Sequence, residues 1–139
     1  MSDIVVVLDA SALLAYTSSD LGVGELISEV SEVQRQVGIP ATCLAQARAR
    51  ISTQLGAAHL MLLITSPAVV VLPLAPDSLG RADAVLQVGE FAQTAGGDLA
   101  LGHAVREALA HGAYLATREP DRAQALLPEG WPTLDLSSS

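Results

Sequence analysis

Three acidic side chains stand where a fold could gather them. Asp9 directly follows the apolar run Ile4–Leu8. Asp98 follows the pair Gly96-Gly97 and opens a stretch of small and apolar residues. Glu119 comes just after Thr117, at the end of another short apolar run, Ala113–Thr117. Carboxylates held together repel one another and destabilise a fold unless a cation joins them. The chemistry that uses such a cluster is phosphodiester hydrolysis with a divalent metal. Hard oxygen ligands hold Mg²⁺ or Mn²⁺, and the ion activates a water and stabilises the leaving oxygen. Each acid also has a plainer reading, because an Asp at a strand end or helix start commonly caps the helix. The order and context of the three say more than any one of them.

To bring these residues together the chain needs strands that end at one edge. Ile4–Leu8 reads as a fully buried strand. Ser11–Tyr16 reads as a short helix that starts at its end. Leu26, Ile27, Val30, Val33 and Val37 recur at helical spacing, with Glu25, Glu29, Glu32 and Gln36 opposite, so an amphipathic helix is predicted from Leu21 to Val37, ended by Gly38-Ile39-Pro40. A second helix is predicted from about Ala41 to Leu55, interrupted by Gly56, with a further turn or two over His59–Ile64. Ala68–Leu74 reads as the second strand, its end placed at a sheet edge by Pro73. A helix should start at Pro76-Asp77-Ser78 and run to about Ala95, another should span Asp98–His111, and Ala113–Thr117 should be the third strand. A short helix from Pro120 to about Leu127 and a short strand at Thr133–Leu136 complete the pattern. Strands alternating with helices imply an α/β fold: a central parallel sheet of four or five strands, Ile4–Leu8 at its middle, flanked by helices on both faces in three layers. Ligands in such sheets sit beyond the carboxyl ends of the strands, which selects the residues after Leu8, Leu74 and Ala116.

Composition bounds the function further. The chain has 139 residues, enough for one domain with its own core; residues 1–136 read as that domain and 137–139 as a short tail. Half of the residues are apolar, yet the aromatics are only Phe91, Trp131, Tyr16 and Tyr114, so the core must be aliphatic. All of the Lys+Arg positions are Arg, and the formal net charge is -8. A protein that binds nucleic acid through its overall field would be basic, so any RNA contact must rest on a local patch or on metal. The lone Cys43 has no disulfide partner and reads as a small buried apolar residue in a reducing, cytoplasmic setting. No positive segment opens the chain as a signal peptide would. Ala57–Pro76 is apolar but broken by His59, Pro67, Pro73 and Pro76, so a membrane span is not expected.

The acidic positions, with their neighbours, resemble the PIN-domain family, in particular bacterial toxin-type (VapC-like) PIN ribonucleases. Asp9-Ala10-Ser11-Ala12-Leu13-Leu14 is similar to that family's opening signature after the first strand. Asp98-Leu99-Ala100-Leu101-Gly102-His103-Ala104 resembles its central acidic helix, and Tyr114-Leu115-Ala116-Thr117-Arg118-Glu119 its late Thr-x-Asp strand. The resemblance implies a PIN-like fold and a Mg²⁺- or Mn²⁺-dependent endoribonuclease of toxin–antitoxin type. Asp9, Asp98 and Glu119 would be its catalytic metal ligands, with Ser11, Gln46, Thr117 and Asp121 in support. Arg48, Arg50 and Arg118 would contact RNA. A cognate antitoxin and a homodimer are the implied protein partners, and apolar residues on the helices between Leu21 and Ile64 suit a dimer contact.

The departures from the pattern matter as much. Where the family places a Glu on the helix after the first long one, this chain has Gln46, which can offer an amide oxygen but no charge. The Thr-x-Asp position holds Glu119, one methylene longer, followed by Pro120 and Asp121. Arg50 lies one helical turn beyond Gln46, where its guanidinium could pair with Asp9 or Asp98 in place of a missing cation. The site is thus expected to be degenerate, with metal binding weak or absent. The alternative to a weakened nuclease is a catalytically inactive PIN-fold protein that binds a protein or RNA partner. A phosphatase-like or receiver-like α/β domain is a third reading; Asp9-Ala10-Ser11 lacks the second Asp that haloacid-dehalogenase-type phosphatases carry. No G-x-G-x-x-G follows the first strand, which leaves a dinucleotide site unsupported. His103 should lie about 140° round its helix from Asp98, facing solvent or pairing with Glu107. His59 and His111 lack metal-ligand spacing, and Asp83 and Glu90 read as a solvated stripe.

Overall fold

In a computed structural model of the chain, residues 3–18, 20–76 and 79–137 are described. The elements run β1 (Ile4–Leu8), α1 (Ala10–Thr17), α2 (Leu21–Glu32), β2 (Gln36–Pro40), α3 (Ala41–Arg50), α4 (Gln54–Ile64), β3 (Val69–Leu72), α5 (Asp83–Thr94), α6 (Leu99–His111), β4 (Tyr114–Thr117), α7 (Pro120–Gln124) and β5 (Thr133–Asp135). The strands form one five-stranded sheet in the order β3-β2-β1-β4-β5. Every pairing is parallel. β1 is central, as its unbroken apolar run requires: a strand covered on both faces has no polar side. Helices flank the sheet; α6 packs against β1, β2 and β4, α2 against β2, and α4 against β3. Val7, Leu8, Leu13, Val37, Ile39 and Leu115 are fully buried at its centre. Among the described residues no helix is long and apolar enough to cross a membrane.

The structure corrects the sequence reading in the first half of the chain. The helix expected from Leu21 to Val37 stops at Glu32. Gln34 takes a left-handed turn at φ 58°, and Gln36–Pro40 is a strand between β1 and β3. Val37 is therefore a sheet residue, fully buried, while Val33 at the helix end is mostly exposed. Gly56 does not interrupt a helix. The break falls at 51–53, where the Thr53 hydroxyl accepts from the Gly56 N–H and caps α4. The helix start expected at Asp77 and Ser78 lies outside the described residues; α5 is seen from Asp83.

The order of the strands decides where a site can form. From β1 the chain moves to β2 and β3 on one side, then crosses back to β4 and β5 on the other. The carboxyl ends of β1 and β4 therefore flank the point where the winding reverses, and such a point opens a crevice. Leu8 pairs with Ala116, so Asp9 and Thr117 emerge side by side at that crevice.

Candidate functional site

Asp9 leaves β1 with its N–H on the Ala116 carbonyl at 3.3 Å, and its side chain turns back to start α1. Oδ1 accepts from the Ala12 N–H at 2.9 Å and from the Ser11 hydroxyl at 2.7 Å. The Ser11 hydroxyl lies 3.2 Å from that of Thr117 and accepts from the Arg118 N–H at 2.9 Å; the Thr117 hydroxyl accepts from the Glu119 N–H at 2.9 Å. Two neighbouring strand ends are thus stitched together by one aspartate and two hydroxyls. Asp98 caps α6 in the same manner, Oδ1 accepting from the Leu101 N–H at 3.0 Å. The capping and site readings of these acids hold together: each carboxylate spends one oxygen on a helix start and still borders the crevice.

Asp9, Ser11, Gln46, Arg50, Asp98, Glu119 and Arg122 all line one small pocket, with a volume of about 30 Å³. It lies against a wider groove of about 620 Å³ between α3 and the turn before α6, lined by Thr42, Gln46, Arg50, Gly96, Gly97, Asp98 and Arg122 among others. Thr117 is buried behind the pocket. Arg48, Arg118 and Asp121 are exposed and do not appear among the described residues that line it; Arg118 contributes only its backbone N–H.

The residue that sequence reasoning missed is Arg122. Its Nη2 donates to Asp98 Oδ2 at 3.0 Å and its Nη1 to Glu119 Oε2 at 3.1 Å, so one planar guanidinium spans two of the three acids. This fork raises the Arg122 pKa, chiefly through its hydrogen bond to Glu119. A guanidinium in the pocket was anticipated from Arg50. Arg50 does border it, but the ion pairs to Asp98 and Glu119 are made by Arg122. Arg122 sits three residues after Glu119 on a turn begun by Pro120, a spacing that places two side chains on one helix face. That signal was in the sequence, on an element too short to show a pattern.

Asp9 is 3 % exposed. Burial raises its carboxyl pKa above the usual 3.8; hydrogen bonds from Ser11, Thr117 and Ala12 pull it partly back, and the Glu119 charge adds to the rise. A carboxyl that holds its proton more tightly when folded contributes most to stability at low pH. That contribution is lost as pH climbs from the ordinary aspartate value through the raised one. Asn at position 9 could keep the Ala12 and Ser11 bonds through its carbonyl oxygen without the buried charge. Asp9→Asn is therefore expected to raise the melting midpoint by a few degrees at pH 7, and the gain should vanish below pH ~3.5. Thermal melts across pH check this; a midpoint lowered at pH 7 would mean that something compensates the Asp9 charge.

Behind the groove, α3 and α6 are tied together. The Cys43 thiol donates to the Ala100 carbonyl at 3.0 Å, and Thr42 Oγ1 lies 2.8 Å from His103 Nδ1. Cys43 is buried, as expected, and burial pushes its thiol pKa well up. His103 does not face solvent: it is fully buried, with Nε2 3.4 Å from Glu107 Oε1. Pairing with Glu107 was the other half of that expectation. Burial alone would raise the Glu107 pKa, but His103, Arg106 and His111 around it bring it below the ordinary value. His59 stacks edge-on against Tyr16, ring centres 6.4 Å apart, and serves packing.

The chain is similar to several solved structures, two of which are informative here. One is PAE2754 from Pyrobaculum aerophilum, at 19% sequence identity and a TM-score of 0.63, covering 98% of this chain and 86% of that one. The other is FitAB bound to an IR36 DNA fragment, at 19% identity and a TM-score of 0.57, covering 94% of each chain. The fold is PIN-like. No protein-family model matches the chain, and no curated protein matches it. Identity at this level carries the architecture alone, so what the PIN-like crevice does here must be argued from its own side chains.

Proposed function

We propose that this chain is a PIN-fold protein that acts through a protein partner of antitoxin type rather than by hydrolysing RNA. The observation that carries the reading is Arg122, which lies across Asp98 and Glu119 at 3.0 and 3.1 Å where a nuclease of this kind would need bare carboxylates. Gln46 at the pocket wall removes a further charge. The formal charge of -8 argues against the chain holding a nucleic acid by itself. One similar structure, FitAB, was solved on DNA; here a DNA contact would fall to a basic partner. Leu55, Met61 and Leu62 stand mostly exposed on α4, and apolar residues of that size suit a protein contact, including the homodimer we also propose. The nuclease reading keeps one specific support: Asp9, Asp98 and Glu119 do reach a single pocket at the sheet's switch point.

The test combines association with cleavage. The chain is co-expressed with the product of the adjacent gene, where a small protein with a basic DNA-binding portion is expected. Sedimentation should give a dimer alone and a larger complex with that product, and DNA should be bound by the complex only. A mixed RNA incubated with the chain in Mg²⁺ or Mn²⁺ should stay intact. Brisk cleavage that Asp98→Asn abolishes would establish the nuclease reading instead. A monomer at high micromolar concentration would remove the dimer.

A further inference from the structure

The donors in the pocket do not suit the divalent ion that a PIN nuclease would use. Mg²⁺ asks for near-octahedral oxygen ligands and leans on carboxylate charge to offset its costly dehydration. Here Asp98 Oδ2 and Glu119 Oε2 are engaged by Arg122, and Asp98 Oδ1 by the Leu101 N–H. Asp9 Oδ1 is engaged by Ser11 and Ala12. Gln46 supplies no charge. Among the described residues, no group of three or more His, Cys, Asp or Glu side chains is arranged to hold an ion. Three carboxylates still converge, however, and their repulsion needs a cation. From this fork we infer that Arg122 is that cation: it permanently takes the place of the metal, and the folded chain is insensitive to divalent ions.

The geometry suits the role. Arg is charged at any ordinary pH, and its planar fork can serve two carboxylates at once, which a Lys ammonium does less well. The two acids come from different places, the cap of α6 and the loop before α7, so the guanidinium also ties α7 to the turn at Ala95–Asp98. Arg122 Nη2 reaches the Ala95 carbonyl as well, at 3.5 Å. Single exposed ion pairs contribute little, but a guanidinium shared between two acids beside a third, buried one is a small network.

The inference rests on the non-cleaving reading above but is read by binding, not by activity. Wild type, Arg122→Gln and Arg122→Lys are melted in EDTA, in Mg²⁺ and in Mn²⁺ at constant ionic strength. The wild-type midpoint should not move with either ion. Arg122→Gln should melt several degrees lower in EDTA and recover most of that loss in millimolar Mn²⁺. Arg122→Lys, which keeps a charge, should stay insensitive to metal. A wild-type midpoint that climbs with Mg²⁺ or Mn²⁺ overturns the inference even if RNA stays intact. So does an Arg122→Gln that melts like wild type in EDTA and ignores metal, or a Lys variant that responds to it. If Arg122→Gln fails to fold, calorimetric titration of wild type with Mn²⁺ decides, heat of binding at millimolar ion being the refuting result. Metal-independent cleavage of RNA by wild type would sink the functional reading and leave this inference standing.

Discussion

Gly102→Ala is expected to destabilise the protein by about 1–3 kcal/mol, whereas Gly89→Ala should stabilise it by roughly 0.5–1 kcal/mol. Both glycines lie inside helices, Gly89 in α5 and Gly102 in α6. On propensity alone both substitutions should help, since Ala is about 1 kcal/mol better than Gly in a helix interior. They differ in what a methyl group meets. At Gly89 there is nothing within 4 Å, while at Gly102 a Cβ would lie 2.6 Å from the Val88 carbonyl oxygen and 3.0 Å from the Ala92 N. Those are backbone atoms of α5 and cannot rotate aside, so the two helices must separate. The consequence reaches the site, because the turn joining α5 to α6 carries Gly96, Gly97 and Asp98, which form one wall of the groove. Chemical denaturation of the two variants tests the pair. A Gly102→Ala as stable as wild type would show that the helices pack less closely than 2.6 Å implies.

The contrast between Gly102 and Gly38 shows what was legible in the sequence. β1, α1, α6 and β4 stand close to where their patterns put them, and the residues at their ends, Asp9, Asp98 and Thr117, are those that line or back the crevice. An apolar run followed by an acid is a local signal, and a parallel sheet turns it into position. β2 was not legible for the opposite reason. Gln36–Pro40 contains a Gly and a Pro, both poor strand residues, and Val37 continues the helical spacing set by Leu26, Val30 and Val33. At Gly38 a Cβ would come within 2.7 Å of Leu72 and 3.1 Å of Ile4, side chains of the strands on either side, so any larger residue would require those side chains to shift. No pattern within the segment reports on those neighbours. His103 escaped in the same way: the rule that a polar residue marks the wet face fails on α6, which is buried from Ala100 through Val105. Arg122 was hidden because one partner, Glu119, lies three residues away on an element too short to show a pattern, and the other, Asp98, is brought to it only by the fold.

The double variant Gln46→Glu/Arg122→Gln is expected to bind Mn²⁺ where the wild type does not. The pocket is now lined by three carboxylates and two guanidinium groups, Arg50 and Arg122. The two changes leave four carboxylates facing one guanidinium. Without metal that concentration of like charge should lower the melting midpoint below that of either single variant, most strongly at low ionic strength, where the Debye length is long. Metal then stabilises by mass action: an ion present at a hundred times its dissociation constant adds about 2.7 kcal/mol, a shift of roughly ten degrees for a domain of this size. Adding Asp9→Asn or Asp98→Asn to the double variant should remove most of that shift, because each deletes a charge that the ion would use. The sheet and its caps are untouched by Gln46→Glu and Arg122→Gln, so an RNA assay on the metal-loaded variant also asks whether the rest of the crevice can still position a strand; slow cleavage above the Asp98→Asn background is the expected result. Identical melts in EDTA and in saturating Mn²⁺ would show that Arg122 and Gln46 are not what keeps the ion out, and that the three acids stand too far apart to share one.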